Sequence, residues 1–231
     1  MKKDVLVIAP HPDDETLGCG GTLLSLKDKN YKIHWLIITE ISEENGYTAA
    51  NILKRGHEID IVSRKYGFSS VLKMGIPTAK VDEIPKGVLV QKISNVFNEI
   101  EPNILFLPYK NDVHTDHKII SECAISCTKW FRYPFLETVL FYETLSETDF
   151  NIDSTSSNFS PNVYIDISNY LDEKINIMSE YKSEMSEFPF PRSEKAIRSL
   201  AYLRGSQCGS DAAEAFELLR HNIFFKNGNR K

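Results

Sequence analysis

Two short runs concentrate most of the side chains in this sequence that could bind a metal or move a proton. The first is His11-Pro12-Asp13-Asp14-Glu15, and the second is Asp112-Val113-His114-Thr115-Asp116-His117; together they hold three of the six histidines. His11 and Asp14 lie three apart across a turn that Pro12 keeps from becoming helix, so an imidazole nitrogen and a carboxylate oxygen can face one centre. His117, from the other run, supplies a third ligand. Two histidines and one carboxylate suit zinc and leave a fourth position open for water, as in hydrolytic sites, whereas magnesium or calcium takes oxygen ligands throughout. One Zn2+ per chain is therefore expected at His11, Asp14 and His117, with another divalent transition metal able to use the same donors.

The neighbours of these ligands read as catalytic groups. Asp13 adjoins Asp14 but projects elsewhere, so it stays off the metal and within reach of its water as a general base. His114 precedes His117 by one helical turn on the same face, where it can stabilise an oxyanion or protonate a leaving amine. Asp116 is the carboxylate placed to fix one of the imidazoles. Helix capping would account for Asp13, Asp14 and Thr16 alone, but capping requires neither a histidine nor a proline.

These residues need elements that bring them together. Val5–Ala9 and Lys32–Thr39 are continuous apolar runs of the kind buried on both faces of a parallel sheet, and Ser69–Leu72 and Ile104–Leu107 read as further strands. Helical spacing covers Thr16–Lys29, Ala50–Tyr66, Lys86–Glu101 and His117–Phe131. Strands alternating with helices give right-handed crossovers and an α/β Rossmann-like three-layer sandwich with a mostly parallel central sheet. In such sheets ligands collect beyond the carboxyl ends of the strands, where both acid- and histidine-rich runs fall.

Further along, Glu137–Glu143 reads as a strand, Asp149–Ser160 as a polar loop and Val163–Ile167 as an edge strand. Ser168 can cap a helix running to about Tyr181, and Phe188–Arg192 must be extended because each proline excludes helix before it. Helices over Glu194–Arg204 and Asp211–Arg220 finish the pattern. The 231 residues are 42% hydrophobic and 26% charged, enough for one sizeable core, so a single domain is expected over 1–231. Residues 1–131 would form its metal-bearing core and 132–231 its completing strands and helices.

A net charge of -5 without a basic tract leaves no electrostatic footprint for nucleic acid, and no apolar window approaches the length of a membrane span. The apolar start is too short for an export signal, and the four cysteines match no metal or redox motif, so reduced thiols and a cytoplasmic location are expected. His34 reads as a satisfied core histidine. Gln207 and Glu214 stay open between pocket lining and subunit contact, and assembly into a homo-oligomer is left open.

His11-Pro12-Asp13-Asp14-Glu15 at the end of a first strand, followed by Leu17-Gly18-Cys19-Gly20-Gly21-Thr22 and later His114-Thr115-Asp116-His117, resembles the PIG-L/LmbE-like family of zinc-dependent N-deacetylases. Arg55 with Glu58, Asn162–Ser168 and Arg204–Phe216 extend the resemblance over nearly the whole chain. It implies a Rossmann-like fold that removes N-acetyl groups from glucosamine-type amino sugars or their conjugates. It also implies His11, Asp14 and His117 as metal ligands, Asp13 as base and His114 as oxyanion or acid histidine. Arg55 and Glu15 are expected at the substrate. Thr115 stands where proline is common, and Asp112 where one branch of the family carries a tyrosine proposed to assist catalysis.

Two rivals are weaker. Gly18-Cys19-Gly20-Gly21 after a first strand, with Glu40 closing the second, faintly suggests a nucleotide or S-adenosylmethionine site. The spacing is not GxGxxG, and three acids would stand where a pyrophosphate needs donors. A non-catalytic metal- or sugar-binding module leaves Asp13 unexplained.

Overall fold

In the computed structural model, which describes residues 3–151 and 158–223, a single seven-stranded sheet runs in the order β3-β2-β1-β4-β5-β7-β6. Its strands are β1 (Asp4–Ala9), β2 (Lys32–Glu40), β3 (Ser70–Pro77), β4 (Ile104–Pro108), β5 (Thr138–Tyr142), β6 (Val163–Asp166) and β7 (Ala213–His221). The first five are parallel, and β7 lies antiparallel between β5 and β6. Helices α1 (Asp14–Asp28), α2 (Ala49–Tyr66), α5 (Leu171–Met178) and α6 (Glu194–Cys208) cover one face, and α3 (Lys86–Ile100) and α4 (Thr115–Ser126) the other. The apolar run of β1 serves both layers: Val5, Val7 and Ala9 join one core cluster, Leu6 and Ile8 the other.

The mostly parallel three-layer sandwich is as expected, and the departures are local. The segment expected as a helix over Asp211–Arg220 is β7. Its Ala, Glu and Leu content favours helix in isolation, but the open edge of β5 needs a partner for its backbone, and Ala213, Ala215 and Phe216 bury against the sheet. The helix expected over His117–Phe131 stops at Ser126, and the chain then turns, leaving Trp130 and Phe131 exposed. Ser168 does not cap α5; its hydroxyl donates to Asp166 Oδ1 at 2.5 Å, and the helix begins at Leu171.

Phe188–Arg192 is not extended. Two successive turns close through Phe190 N to Glu187 O and Ser193 N to Phe190 O, both 3.0 Å, an arrangement proline tolerates as readily as a straight run. The loop expected over Asp149–Ser160 lies partly outside the described residues. His34 is satisfied by Ser70 Oγ at 2.8 Å and Asp4 Oδ1 at 3.0 Å. Cys19, Cys123 and Cys127 are buried free thiols, while Cys208 is exposed. Among the described residues no helix is long and apolar enough to cross a membrane.

The glycines after β1 are packing residues. A Cβ on Gly18 would sit 2.2 Å from the Tyr142 ring, and one on Gly21 would sit 2.7 Å from Ile167. Tyr142 cannot retreat, being fully buried with its hydroxyl donating to Ile8 O at 2.8 Å. Gly18→Ala should therefore lower the unfolding free energy by about 1–3 kcal/mol in urea denaturation, the usual cost of overpacking a filled core. An unchanged midpoint would mean that α1 and β5 are further apart than described.

Candidate metal centre and active site

The loop after β1 is fastened before any ligand is considered. Pro10 O accepts from Thr39 N at 3.0 Å and Thr39 Oγ1 at 2.8 Å, and Pro12 O accepts from Arg55 Nη1 at 2.8 Å. Asp13 then takes φ 143°, a conformation that costs a non-glycine residue strain and that the surroundings must hold in place. They do so through Glu15: Asp13 N donates to Glu15 Oε2 at 3.1 Å, while Glu15 Oε1 accepts from Thr16 at 2.6 Å and Tyr181 at 2.8 Å. Glu15 is fully buried and does not reach the cavity, contrary to its expected place at the substrate. Its side chain is spent on the three donors that fix the turn, and burial pushes its pKa up to about 7.

β1 pairs with β4, so the two motif loops leave the sheet side by side. His11 Nδ1, Asp14 Oδ2 and His117 Nε2 converge: His11 to Asp14 is 3.4 Å, His117 to Asp14 is 3.3 Å and His117 to His11 is 3.4 Å. Ligands about 2.0–2.1 Å from a tetrahedral zinc stand about 3.3–3.4 Å apart, so this triangle has the size of one face of such a site.

The remaining ring nitrogens are held. Asp116 Oδ2 lies 3.2 Å from His11 Nε2, and Asp112 Oδ2 lies 2.8 Å from His117 Nδ1. Each carboxylate fixes the tautomer that leaves the inner nitrogen free for a metal. Asp112 is a residue whose part the sequence reading missed. It faces inward and is itself held by Thr148 Oγ1 at 2.6 Å; an acid five residues before His117 was the available signal. His11, His114 and Asp116 also cluster, but both Asp116 oxygens already accept backbone amides, from Ala79 at 2.9 Å and Val81 at 3.4 Å.

His114 caps α4, its Nδ1 accepting from Asp116 N at 3.1 Å, so a neutral ring carries its proton on Nε2. Its ring centre lies 4.5 Å from that of His11. Burial, with the neighbouring His11 and His117, lowers its pKa to about 4. Burial would likewise lower His11, but hydrogen bonds to Asp116 and Asp14 outweigh it and raise the value to about 9. Burial opposes charge on Asp14 too, yet His117 and His11 hold it well below the usual carboxylate range.

Asp13 behaves oppositely. Burial, Asp14 and Glu184 push its pKa well up, and Arg192 and His11 only partly offset them. Arg192 Nη1 donates to Asp13 Oδ2 at 2.9 Å and to Glu184 Oε2 at 3.2 Å. Nothing local in the sequence announces this partner, which comes from the turns preceding α6.

A cavity of about 390 Å³, a size suited to a small ligand, is walled by His11, Asp13, His114, Thr144, Glu147 and Arg192 among others. Arg55 also borders it, though its guanidinium serves Pro12 O, Ser183 Oγ at 3.0 Å, Glu184 and, at 3.2 Å, Glu58. Gln207 is exposed and bonded to Arg204, and Glu214 is buried in the core; neither reaches the cavity.

Residues 6–128, more than half of the sequence, match the model of the PIG-L family, described as GlcNAc-PI de-N-acetylase. The chain belongs to that family. It is 25% identical over 228 residues to a diacetylchitobiose deacetylase of Thermococcus kodakarensis, covering 94% of this chain and 83% of the relative. A probable N-acetyl-alpha-D-glucosaminyl L-malate deacetylase of Bacillus cereus is 22% identical, covering 80% and 84%. Among solved structures, a conserved protein of Thermus thermophilus superposes with a TM-score of 0.74 at 24% identity, covering 99% of this chain and 100% of that one, which supports the fold.

Because hydrogen bonds to Asp116 and Asp14 raise the His11 pKa to about 9, a metal bound at its Nδ1 would compete with a proton there. Metal affinity should therefore rise with pH between 6 and 8, by about tenfold per unit for each proton released. Chelator competition at the two ends of that range checks this, and a flat response would place the metal elsewhere.

Proposed function

We propose that this PIG-L family protein is a zinc-dependent N-deacetylase, hydrolysing the N-acetyl group of an N-acetylglucosamine-type amino sugar or its conjugate. The reading is carried by Asp13: a buried acid of raised proton affinity that adjoins the donor triangle without belonging to it and borders a ligand-sized cavity. The names of the two relatives, both deacetylases of glucosamine-type compounds, support the substrate class.

His11, Asp14 and His117 would hold the metal, and two nitrogens with one oxygen at tetrahedral spacing favour zinc over magnesium or calcium. Bound there, zinc would polarise the amide carbonyl and bring the pKa of water near neutrality. Asp13 takes the proton of the attacking water and can pass it to the departing amine, for which a carboxylate of raised pKa is better matched than an ordinary one. Arg192 aims that carboxylate and partly offsets the burial that opposes its charge.

His114 contributes differently. With a pKa near 4 it is neutral at pH 7, and its Nε2–H is a donor for the amide oxygen as negative charge develops there. This favours the oxyanion role over protonation of the amine. Asp116 holds the His11 ring, and Arg55 secures the Asp13 loop at the sugar-binding cavity.

Acetate release from diacetylchitobiose and other N-acetylhexosamine conjugates, with and without added zinc, tests the whole reading; a zinc-loaded protein inert on the entire panel would overturn it. Asp13→Asn should retain the metal and lose about 100-fold or more in kcat. A variant of unchanged turnover would remove Asp13 from the mechanism. His114→Ala should lower kcat with KM and zinc content nearly unchanged, because the bond it makes strengthens only in the transition state. As a neutral donor its loss should leave the alkaline limb of the kcat profile in place, whereas disappearance of that limb would identify it as the acid.

A further inference from the structure

The mechanism makes no use of a deeply buried ion pair that joins α5 to β7 beside α1. Lys174 on α5 and Glu214 on β7 meet at 2.7 Å, with side chains 5% and 4% exposed. They sit at a break in α1, where Cys19 takes φ −145° and ψ 20°. A continuous helix pairs the carbonyl of residue i with the amide of i+4, here Leu17 O with Gly21 N. These two groups instead face opposite ends of the ion pair: Lys174 Nζ donates to Leu17 O at 2.8 Å, and Gly21 N donates to Glu214 Oε1 at 2.9 Å. Thr22 N donates to Glu214 Oε2 at 2.7 Å. Side chains inserted into the ladder are a recognised cause of a sharp kink, and this pair inserts on both sides of one.

The two halves of α1 have different attachments. Beyond the break, Leu23 is fully buried in the core and Gly21 lies directly against Ile167. Before it stands one turn, Asp14–Gly18, which starts with the carboxylate of the donor triangle, follows directly on Asp13 and is held separately by Tyr142 against Gly18 and Tyr181 on Glu15. The angle between the anchored half and this turn decides where Asp14 Oδ2 lies relative to His11 and His117.

We propose that the Lys174–Glu214 pair is a positioning device that sets the kink in α1 and thereby the place of Asp14 in the metal triangle. The inference rests on the metal-site reading above. Without the pair, Gly21 N and Leu17 O are free to bond each other, α1 straightens, and its first turn is drawn out of line with the two imidazoles against its own contacts to Tyr142 and Tyr181.

The test is zinc affinity by chelator competition, with the Co2+ absorption spectrum as a report on coordination geometry, in Lys174→Met/Glu214→Leu. Removing both charges together avoids stranding one in the core. The metal-free variant should still unfold cooperatively, bind zinc about 10- to 100-fold more weakly and show an altered Co2+ spectrum, a loss of the size seen when outer supports of ligands are removed. A merely structural pair would lower thermal stability and leave both metal readouts at wild-type values in the folded protein, and that result overturns the proposal. Should the double variant not fold, Glu214→Gln retains shape and one acceptor and is expected to weaken zinc several-fold; wild-type affinity there is equally decisive against it. Retention of zinc by His117→Ala would signal instead that the ligand reading beneath the proposal has failed.

Discussion

The parallel pairing of β1 with β4 is the constraint on which the site depends. It places Val5 beside Ile104 and Val7 beside Phe106, so the loops carrying His11 and His117 leave the same end of the sheet as neighbours. The strand order reverses direction here, β1 continuing to β2 on one side and to β4 on the other, and the splayed connections leave a crevice. Three donor atoms from two loops can close to 3.3–3.4 Å of one another only because the sheet has already brought their backbones together.

A second constraint follows from burying so many charges in one crevice. Asp14, Asp112 and Asp116 surround two imidazoles, and each carboxylate is answered by a ring nitrogen, a backbone amide or a hydroxyl. Asp13 is left with Arg192 alone among side chains of opposite fixed charge at hydrogen-bond distance. Unequal compensation separates the two acids: Asp14, well compensated, is held ionised, as the proposed ligand role requires, and the poorly compensated Asp13 gains proton affinity.

The later third of the chain is the scaffold of this arrangement. Tyr181 supports Glu15, Arg192 supports Asp13, and Lys174 with Glu214 takes up the backbone groups left unpaired at the break in α1. None of these supporting residues from the later third lies in the family-matched span 6–128, yet each acts on the first motif loop or the helix that follows it.

The sequence by itself determined the layered fold and singled out the groups that converge beyond β1 and β4. Short, β-branched apolar runs alternating with amphipathic helices read as two-sided buried strands, and a histidine, a proline and two acids at a strand end exceed what a helix cap needs. It could not announce Arg192, Thr148 or the inward turn of Glu15, because their partners are remote in sequence or depend on which way a side chain faces. Residues 211–220 show the limit most plainly. Their composition favours a helix, but the open backbone of β5 and the buried amides left unpaired at the break in α1 are both met by a strand that carries Glu214 inward, and only tertiary structure creates both needs.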